Sequence, residues 1–281
     1  MTQAKKKVSV TDLGAMKGKE KIAVLTAYDY STSLICDRAG VDVILVGDSA
    51  GMVVLGHPST VPVGMPEMLM FCGAVSRGAK RAMIVGDMPF GSYQPSTSVA
   101  IENAVQFIKA GCDAVKLEGG AEVAGKVRAL VDAGVPVMGH IGLKPQTAAL
   151  WEGYRLQGKT ADAAARLIKD AQALEKAGVF SIVLEMVASE AADIITKRVS
   201  VPTIGIGSGP GCDGQVLVLH DLLGIYEDIK PRFVKRYAEL AKPILDAVAG
   251  YAQDVKAGRF PEEQNTFHMS PDELQKMRRK K

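Results

Sequence analysis

Polar and ionisable residues close a series of short apolar runs along this chain, and their types suit acid–base or metal chemistry. They are Asp29, Asp48, Ser49, Asp87, Lys116, Glu118, His140, Glu185 and Ser208. A purely structural protein gains nothing from this arrangement, because burying such groups costs free energy unless they are paired. Their recurrence therefore indicates a functional site assembled from the ends of several elements.

Three of the carboxylates, those of Asp48, Asp87 and Glu118, follow three successive runs. Brought together, they would repel one another unless a positive charge neutralised them. A hard divalent cation does this, and a set of oxygen ligands favours Mg²⁺ over zinc. The trio is a candidate magnesium site; the alternative is that Lys116, Arg77 or helix N-termini satisfy the three carboxylates.

Glu185, Lys116 and His140 are the candidates for proton transfer and substrate contact. A carboxylate across a site from a metal can act as a general base, and Glu185 is otherwise a salt-bridged residue of the rim. His140 either donates to a substrate oxygen or caps a neighbouring loop. Lys116 would permit a Schiff base with a carbonyl substrate, although Glu118 two residues away argues against it by keeping the ammonium charged.

Eight runs rich in Val and Ile predict strands of a parallel sheet buried on both faces. They are Lys21–Asp29, Val41–Ser49, Ala82–Pro89, Ala114–Gly120, Val135–Gly142, Phe180–Val187, Val201–Gly209 and Gln215–Leu219. Amphipathic patterns predict helices over Ser96–Ala110 and Asp162–Ala177, a last helix over Phe233–Ala252, and a polar tail after it. The alternation predicts an α/β fold, a (β/α)8 barrel, as a single domain over residues 1–281 with short polar tails; a doubly wound open sheet is the alternative.

The strand period predicts which side chains point together. Residues two apart on a strand face the same way, so Lys116 and Glu118 should share a side, with Leu117 turned toward the helices. The same parity pairs Val46 with Asp48, Val85 with Asp87, Met138 with His140, and Val183 with Glu185. Active sites of such barrels lie at the carboxyl ends of the strands. The glycine-rich segment Gly205–Gln215 is interpreted as a phosphate site, a close approach to a flat ligand, or a plain tight connection.

Composition excludes several classes of protein. The 34 Lys and Arg nearly balance the 31 Asp and Glu, which gives no reason to expect nucleic acid as the main partner. No stretch approaches the roughly 20 apolar residues that span a bilayer, and the N-terminus lacks the apolar core of a signal peptide. The four cysteines show no C-x-x-C spacing. We therefore expect a cytoplasmic enzyme acting on small molecules, with no nucleic-acid or membrane partner.

Several segments, in order, resemble the ketopantoate hydroxymethyltransferase family. They read VILVGDSAG, VGDMPFGSY, AVKLEGG, PVMGHIGLKPQ, GYRLQGK and GIGSGPGCDGQVLVLHDLLG. The resemblance runs from about Val10 to Phe267, which is nearly the whole chain. This sequence departs from the family pattern at Pro58, at Phe71-Cys72 and at Lys144, none of which is a candidate ligand or base.

The resemblance implies an activity and a role for each candidate residue. The family transfers a hydroxymethyl group from 5,10-methylenetetrahydrofolate to 3-methyl-2-oxobutanoate through a Mg²⁺-stabilised enolate. The products are 2-dehydropantoate, on the route to pantothenate and coenzyme A, and tetrahydrofolate. It further implies a barrel of the phosphoenolpyruvate/pyruvate type and a homodecamer. The implied roles are Mg²⁺ binding by Asp48, Asp87 and Glu118, catalysis by Glu185, and substrate binding by Asp48, Ser49, Asp87, Lys116 and His140.

Three other functions stay open at the level of the sequence. They are an isocitrate-lyase-like C–C lyase, a Schiff-base aldolase that uses Lys116, and a barrel with no catalytic role. The first is disfavoured because the reactive cysteine loop of such lyases, of the K-K-C-G-H type, does not occur here. Trp151 and Tyr154 are available to stack on a flat co-substrate, but we expect them to anchor the loop Leu143–Lys159.

Overall fold

Eight parallel strands close into a barrel in a computed structural model that describes residues 6–147, 153 and 155–280. Each strand pairs with the next in the chain, and the eighth returns to the first with Ile22 opposite Gly214. The strands are β1 Ile22–Thr26, β2 Val43–Val46, β3 Met83–Asp87, β4 Ala114–Glu118, β5 Val137–Gly142, β6 Ser181–Glu185, β7 Thr203–Ile206 and β8 Gly214–Leu217. Every predicted strand is found, and the (β/α)8 fold is confirmed. Trp151 and Tyr154, which were expected to anchor a loop, lie outside the described residues.

Helices follow most strands and cover the barrel. They are α1 Val10–Met16, α2 Tyr30–Ala39, α3 Ala50–Val53, α4 Met65–Gly78, α5 Thr97–Lys109, α6 Ala124–Asp132, α7 Ala161–Ala177, α8 Ser189–Arg198, α9 Leu219–Leu222, α10 Ala241–Lys256 and α11 Pro271–Arg279. Short 3₁₀ turns occupy Ala121–Val123 and Glu263–Asn265. The two predicted amphipathic helices are confirmed as α5 and α7.

Local signals explain where these helices begin and end. The side chains of Ser96 and Thr160 accept backbone N–H groups at the starts of α5 and α7. Gly178 ends α7 with φ of 99°, in the left-handed region that glycine enters without strain. Asp29 caps α2 by accepting from Thr32 N at 2.9 Å, so this strand-end carboxylate has a structural role.

The strand period places most lumen residues as predicted. Val85, Met138 and Val183 lie in the buried cluster inside the barrel, while Leu117 lies in the cluster between the sheet and the helices. The prediction for Val46 is wrong, because Val46 belongs to the outer cluster. Strand β2 ends at this residue, and the chain then turns before it reaches Asp48, so the alternation does not carry through.

The C-terminal region departs from the sequence prediction. The last long helix begins at Ala241 rather than Phe233, because the preceding segment lies over the barrel mouth with the Phe233 side chain in a cavity. None of the residues of α10 is buried, and α11 is also exposed. No helix within the described ranges is long and apolar enough to cross a bilayer.

Candidate active site

The mouth of the barrel holds a cavity of about 390 Å³ at the carboxyl ends of the strands. Seven predicted site residues line this cavity: Asp48, Ser49, Asp87, Lys116, Glu118, His140 and Glu185. Two other strand-end residues serve the fold instead. Asp29 caps α2, and the Ser208 hydroxyl donates to the Leu184 carbonyl at 2.7 Å while it accepts from Val187 N at 3.0 Å.

Lys116 and Asp87 form a buried ion pair on the floor of the cavity. The floor is the part of the lining formed by Asp48, Asp87, Lys116, Glu118, His140 and Glu185. Their Nζ and Oδ1 atoms are 2.6 Å apart, and the two side chains are 5% and 2% exposed. Burial opposes the charge on Lys116, yet the carboxylates of Asp87, Glu118 and Asp48 raise its pKa overall. Lys116 is therefore a fixed cation, which disfavours the Schiff-base reading because that chemistry needs a neutral amine.

The other oxygen of Asp87 ties it to the next strand. Its Oδ2 accepts from the backbone N–H of Asp48 at 3.3 Å. Burial raises the pKa of Asp87 to about 7, against the opposing effect of the Lys116 ammonium. The Lys116 ammonium alone therefore does not offset the cost of burying this carboxylate.

His140 lies between two glutamates. Its Nδ1 is 3.5 Å from Glu118 Oε1 and its Nε2 is 3.3 Å from Glu185 Oε2, although neither contact has hydrogen-bond geometry. Burial first, and then the Lys116 charge, lower the pKa of His140 well below its ordinary value. The imidazole is therefore neutral, with one N–H to donate and one lone pair to accept.

Both glutamates beside His140 hold their protons more tightly than usual. Burial raises the pKa of Glu118 well above its ordinary value and that of Glu185 to about 8. Glu185 differs in access, since its side chain is 16% exposed while that of Glu118 is 2% exposed. Glu185 is thus the floor carboxylate that a ligand in the cavity reaches most readily.

Ser49 stands at the edge of the floor, at the start of α3. Its hydroxyl is 2.8 Å from the Tyr28 hydroxyl, and Tyr28 in turn packs against the ring of His220 with centroids 5.6 Å apart. Because either hydroxyl can donate, Ser49 can offer a ligand a donor or an acceptor.

Two site residues, Tyr93 and Gln146, are absent from the sequence prediction. Both are buried, and both touch the carboxylate trio: the Gln146 side chain donates to Asp48 Oδ2 at 3.0 Å, and the Tyr93 hydroxyl accepts from Glu118 N at 3.2 Å. Both are uncharged. Tyr93 lies in a loop and Gln146 lies in a helical segment after β5, and no charge pattern or period marks either residue. The one available signal was the GHIGLKPQ segment, which contains Gln146 and was used only for the resemblance.

The rim of the cavity has a different composition. The segment between α9 and α10 contributes Tyr226, Ile229, Pro231, Arg232 and Phe233 to the lining. Gly207 has φ of 64°, and a Cβ built on it would lie 2.9 Å from the Phe233 ring. The glycine-rich segment after β7 therefore permits a close approach within the chain itself, which favours the plain tight connection among the three interpretations.

The floor supplies oxygen donors of the kind that Mg²⁺ takes. Glu118 Oε1 is buried and finds no hydrogen-bond partner among the described residues. In residues 6–147, 153 and 155–280, however, no three His, Cys, Asp or Glu side chains stand in a ready-made metal arrangement. The predicted trio shares one cavity, but its oxygens turn partly to Lys116 and Gln146. The donor chemistry fits a hard divalent ion, with one buried carboxylate oxygen left to meet it.

A closed parallel barrel whose mouth gathers carboxylates, a buried lysine and a neutral histidine defines an enzyme of the (β/α)8 class. Within that class, the family model described as ketopantoate hydroxymethyltransferase matches residues 7–263. The chain belongs to this family and is an enzyme of the transferase type.

Proteins with similar sequences match this chain over nearly its whole length. A protein of Nitrosopumilus maritimus (strain SCM1) named 3-methyl-2-oxobutanoate hydroxymethyltransferase is 57% identical to this chain, and the alignment covers 96% of this chain and 97% of the relative. A protein of the same name from Cenarchaeum symbiosum (strain A) is 60% identical, and the alignment covers 92% of this chain and 98% of the relative. The same name belongs to a protein of Syntrophobacter fumaroxidans (strain DSM 10017 / MPOB) that is 54% identical and covers 97% of both chains.

Solved structures with far lower identity share the fold. Phosphoenolpyruvate phosphomutase from Streptomyces platensis subsp. rosaceus has a TM-score of 0.59 at 15% identity, with 96% of each chain covered. A phosphonopyruvate hydrolase solved with oxalate and Mg²⁺ has a TM-score of 0.57 at 14% identity, covering 95% of this chain and 96% of that one. The similarity shows that this chain shares its fold with these two enzymes.

Proposed function

We propose that the enzyme transfers a hydroxymethyl group from 5,10-methylenetetrahydrofolate to 3-methyl-2-oxobutanoate. With one water consumed, the products are 2-dehydropantoate and tetrahydrofolate, in the biosynthesis of pantothenate and coenzyme A. One observation carries the proposal: all seven residues that the family resemblance implicates line a single cavity at the barrel mouth. Its volume of about 390 Å³ is of the size that small-molecule sites have.

Glu185 is the proposed base that takes the proton from C3 of the oxo acid. It is the most accessible of the paired floor carboxylates, with 16% of its side chain exposed. Its pKa of about 8, raised by burial, makes the ionised form a stronger base than an ordinary carboxylate. The His140 imidazole at 3.3 Å limits the directions in which this carboxylate can turn.

Lys116 is the proposed electrostatic partner of the enolate that proton loss creates. Asp87 holds the ammonium in place at 2.6 Å, so the charge needs no reorganisation when the oxyanion develops. Asp48, Asp87 and Glu118 would hold a Mg²⁺ ion, which would supply Lewis-acid stabilisation of the same oxygen. The oxygen-only donor set, the unpartnered Glu118 Oε1 and the Mg²⁺ bound to a structural relative support this assignment.

The rim of the cavity is the proposed place for the folate co-substrate. Tyr226, Ile229 and Phe233 present aromatic and aliphatic surface above the acidic floor. A flat pterin ring gains hydrophobic burial and ring contacts on such a surface. The floor and the rim would then hold the two substrates one above the other, with the oxo acid nearer to the charged groups.

We further propose that the chain forms a homo-oligomer, a decamer by family resemblance. Helix α10 exposes Ile244, Leu245, Val248 and Tyr251, and none of its residues is buried. A contiguous apolar face of this kind marks an association surface. A cytoplasmic location remains our proposal, and within the described part all four cysteines are free thiols, as a reducing compartment favours.

The proposed reaction is tested by proton NMR of the enzyme with Mg²⁺, the oxo acid and 5,10-methylenetetrahydrofolate. We expect a new hydroxymethyl signal that a chelator abolishes and that requires the folate. Turnover of the oxo acid without folate, by cleavage or rearrangement, would instead assign a lyase or mutase activity and reject the transfer. Borohydride should not trap a lysine adduct.

A further inference from the structure

Gln146 is an uncharged residue that forms hydrogen bonds to several groups of the acidic floor. The residue is fully buried, and every polar atom of its side chain is used. Its Nε2 donates to Asp48 Oδ2 at 3.0 Å and to the Met88 carbonyl at 2.9 Å, while its Oε1 accepts from the Tyr93 hydroxyl at 2.9 Å. Its backbone N–H donates to Glu118 Oε2 at 3.2 Å. A single residue therefore holds two carboxyl groups, that of Asp48 after the end of β2 and that of Glu118 at the end of β4.

These hydrogen bonds occupy one oxygen on each carboxylate. Gln146 meets Oδ2 of Asp48 and Oε2 of Glu118, while Oε1 of Glu118 stays buried with no hydrogen-bond partner in the described structure. Leaving a buried carboxylate oxygen unsatisfied is costly. A free oxygen beside a tethered one is the arrangement expected where the free oxygen has a ligand to meet.

Gln146 and Lys116 both orient carboxyl groups of the floor, but only Lys116 also neutralises the charge of its partner. Lys116 both orients and neutralises Asp87 across 2.6 Å. The Gln146 amide can orient Asp48 and Glu118 but adds no positive charge. Gln146 thus adds no charge that would compete with a cation for these two groups, and its hydrogen bonds limit their rotation.

Tyr93 completes the arrangement from the other side. Its one hydroxyl hydrogen has two acceptors within reach, Gln146 Oε1 at 2.9 Å and the Glu118 carbonyl at 3.1 Å, and its oxygen accepts from the backbone N–H of Glu118 at 3.2 Å. The NH₂ end of the amide faces Asp48 because only that end can donate to Asp48 and to the Met88 carbonyl, and the Tyr93 hydroxyl supports this orientation from the Oε1 end. Tyr93, Gln146 and the carboxylates form one connected network, in which each member limits the orientation of the next.

We propose that Gln146 is a positioning residue for a divalent cation, which turns Asp48 and Glu118 so that their remaining oxygens can bind it. The inference rests on the magnesium part of the proposed function. Partners of this kind, which touch the ligands rather than the metal, change metal affinity by about 10–100-fold when they are removed.

The test compares Mn²⁺ affinity between the wild type and Gln146→Met, by calorimetry and by the EPR signal of free Mn²⁺. Methionine keeps the length of the side chain but cannot donate to Asp48. We expect the Kd for Mn²⁺ to rise by about 10–100-fold. Gln106→Met is the matched control, because the exposed Gln106 amide donates to Asn103 Oδ1 at 3.1 Å on α5 and does not line the cavity. Its Kd should stay within about twofold, well below the change expected for a residue that orients a ligand.

A second variant guards against misfolding. Tyr93→Phe removes only the hydroxyl, which contacts the Gln146 amide and the Glu118 backbone, and we expect an intermediate rise in the Kd for Mn²⁺. If Gln146→Met melts earlier but binds Mn²⁺ as tightly as wild type, Gln146 merely anchors the segment after β5 and the inference is overturned. If Gln146→Met does not fold, an unchanged Kd in Tyr93→Phe overturns it. Wild-type protein that binds no Mn²⁺ would instead reject the magnesium site itself.

Discussion

The floor of the cavity and helix α10 reverse the usual distribution of polarity in opposite ways. Asp48, Asp87, Lys116 and Glu118 are charged residues at 2–5% exposure, whereas Leu245 of α10 is an apolar residue at 66% exposure. Each arrangement lowers the stability of an isolated chain, since charges lose water and apolar surface keeps it. Each is explained by something that the single chain does not contain: a ligand for the floor and a second surface for the helix.

The floor and helix α10 also differ in the kind of contact that each can make with a ligand or a second surface. The floor is built on strand ends, whose positions the barrel fixes, and its contacts are short and directional, such as the 2.6 Å pair of Lys116 and Asp87. Helix α10 offers area without directional groups on its apolar face. We therefore expect substitutions in the floor to change chemistry in single folded chains, and substitutions in α10 to change assembly first.

The largest effect should come from breaking the buried ion pair. Lys116→Met leaves Asp87 buried without its cation, which should cost about 3–5 kcal/mol of unfolding free energy. Chemical denaturation measures the loss, and turnover should fall to background. Lys144→Met is the matched control: the pair of Lys144 with Glu122 is 36% and 57% exposed, so its removal should cost about 0–1 kcal/mol. Equal losses in the two variants would contradict the distinction.

Leu245→Glu should disrupt association while the barrel stays folded. A charge in the centre of the apolar face of α10 is expensive to bury against another surface. Light scattering after gel filtration should show a large assembly for the wild type and smaller species for the variant, with an unchanged melting profile at low concentration. Gln253→Glu, on the same helix, should leave assembly intact. A wild-type monomer at micromolar concentration would remove the assigned role of α10.

The pH dependence of proton abstraction should report the environment of Glu185. Because the carboxylate and not the acid accepts the proton, and because burial raises the Glu185 pKa to about 8, exchange should increase as pH rises. Below that pH the rate should change by about tenfold per unit, and it should level off above it. Exchange followed by NMR from pH 6 to 9 measures this. A plateau already reached at pH 6 would show an ordinary carboxylate pKa.

The smallest effect concerns the rim. Phe233→Ala removes an aromatic ring from the cavity lining but leaves the floor unchanged. The KM for 5,10-methylenetetrahydrofolate should rise by about 2–10-fold, the value of one ring contact, while the KM for the oxo acid stays constant. Steady-state kinetics with each substrate varied in turn measures the two constants. A change confined to the oxo acid would reverse the proposed order of the substrates.

Sequence patterns predicted the floor better than the rim, for physical reasons. Strand residues obey a fixed alternation, so the shared direction of Lys116 and Glu118 followed from their spacing. The prediction that Val46 points with Asp48 was wrong because β2 ends at Val46 and the alternation stops there. The predicted start of the last helix at Phe233 failed because tertiary contact at the barrel mouth outweighed a local amphipathic pattern.

Gln146 could not be predicted from spacing at all. It is neutral, it lies in a helical segment after β5, and its partner Asp48 is 98 residues away in the chain. Only the folded barrel shows that its amide reaches a carboxylate. Neutral residues that orient charged ones are in general found from contacts, whereas the charged residues themselves stand out in a sequence.

The most direct test of the account measures deuterium incorporation at C3 of 3-methyl-2-oxobutanoate in D₂O without folate. Wild-type enzyme with Mg²⁺ and Glu185→Gln are compared by proton NMR, and binding of the oxo acid is measured separately by calorimetry. We predict metal-dependent exchange by the wild type and a loss of about 10²–10⁴-fold in the variant, with binding retained. Exchange at the wild-type rate in Glu185→Gln would contradict the assignment of Glu185 as the base.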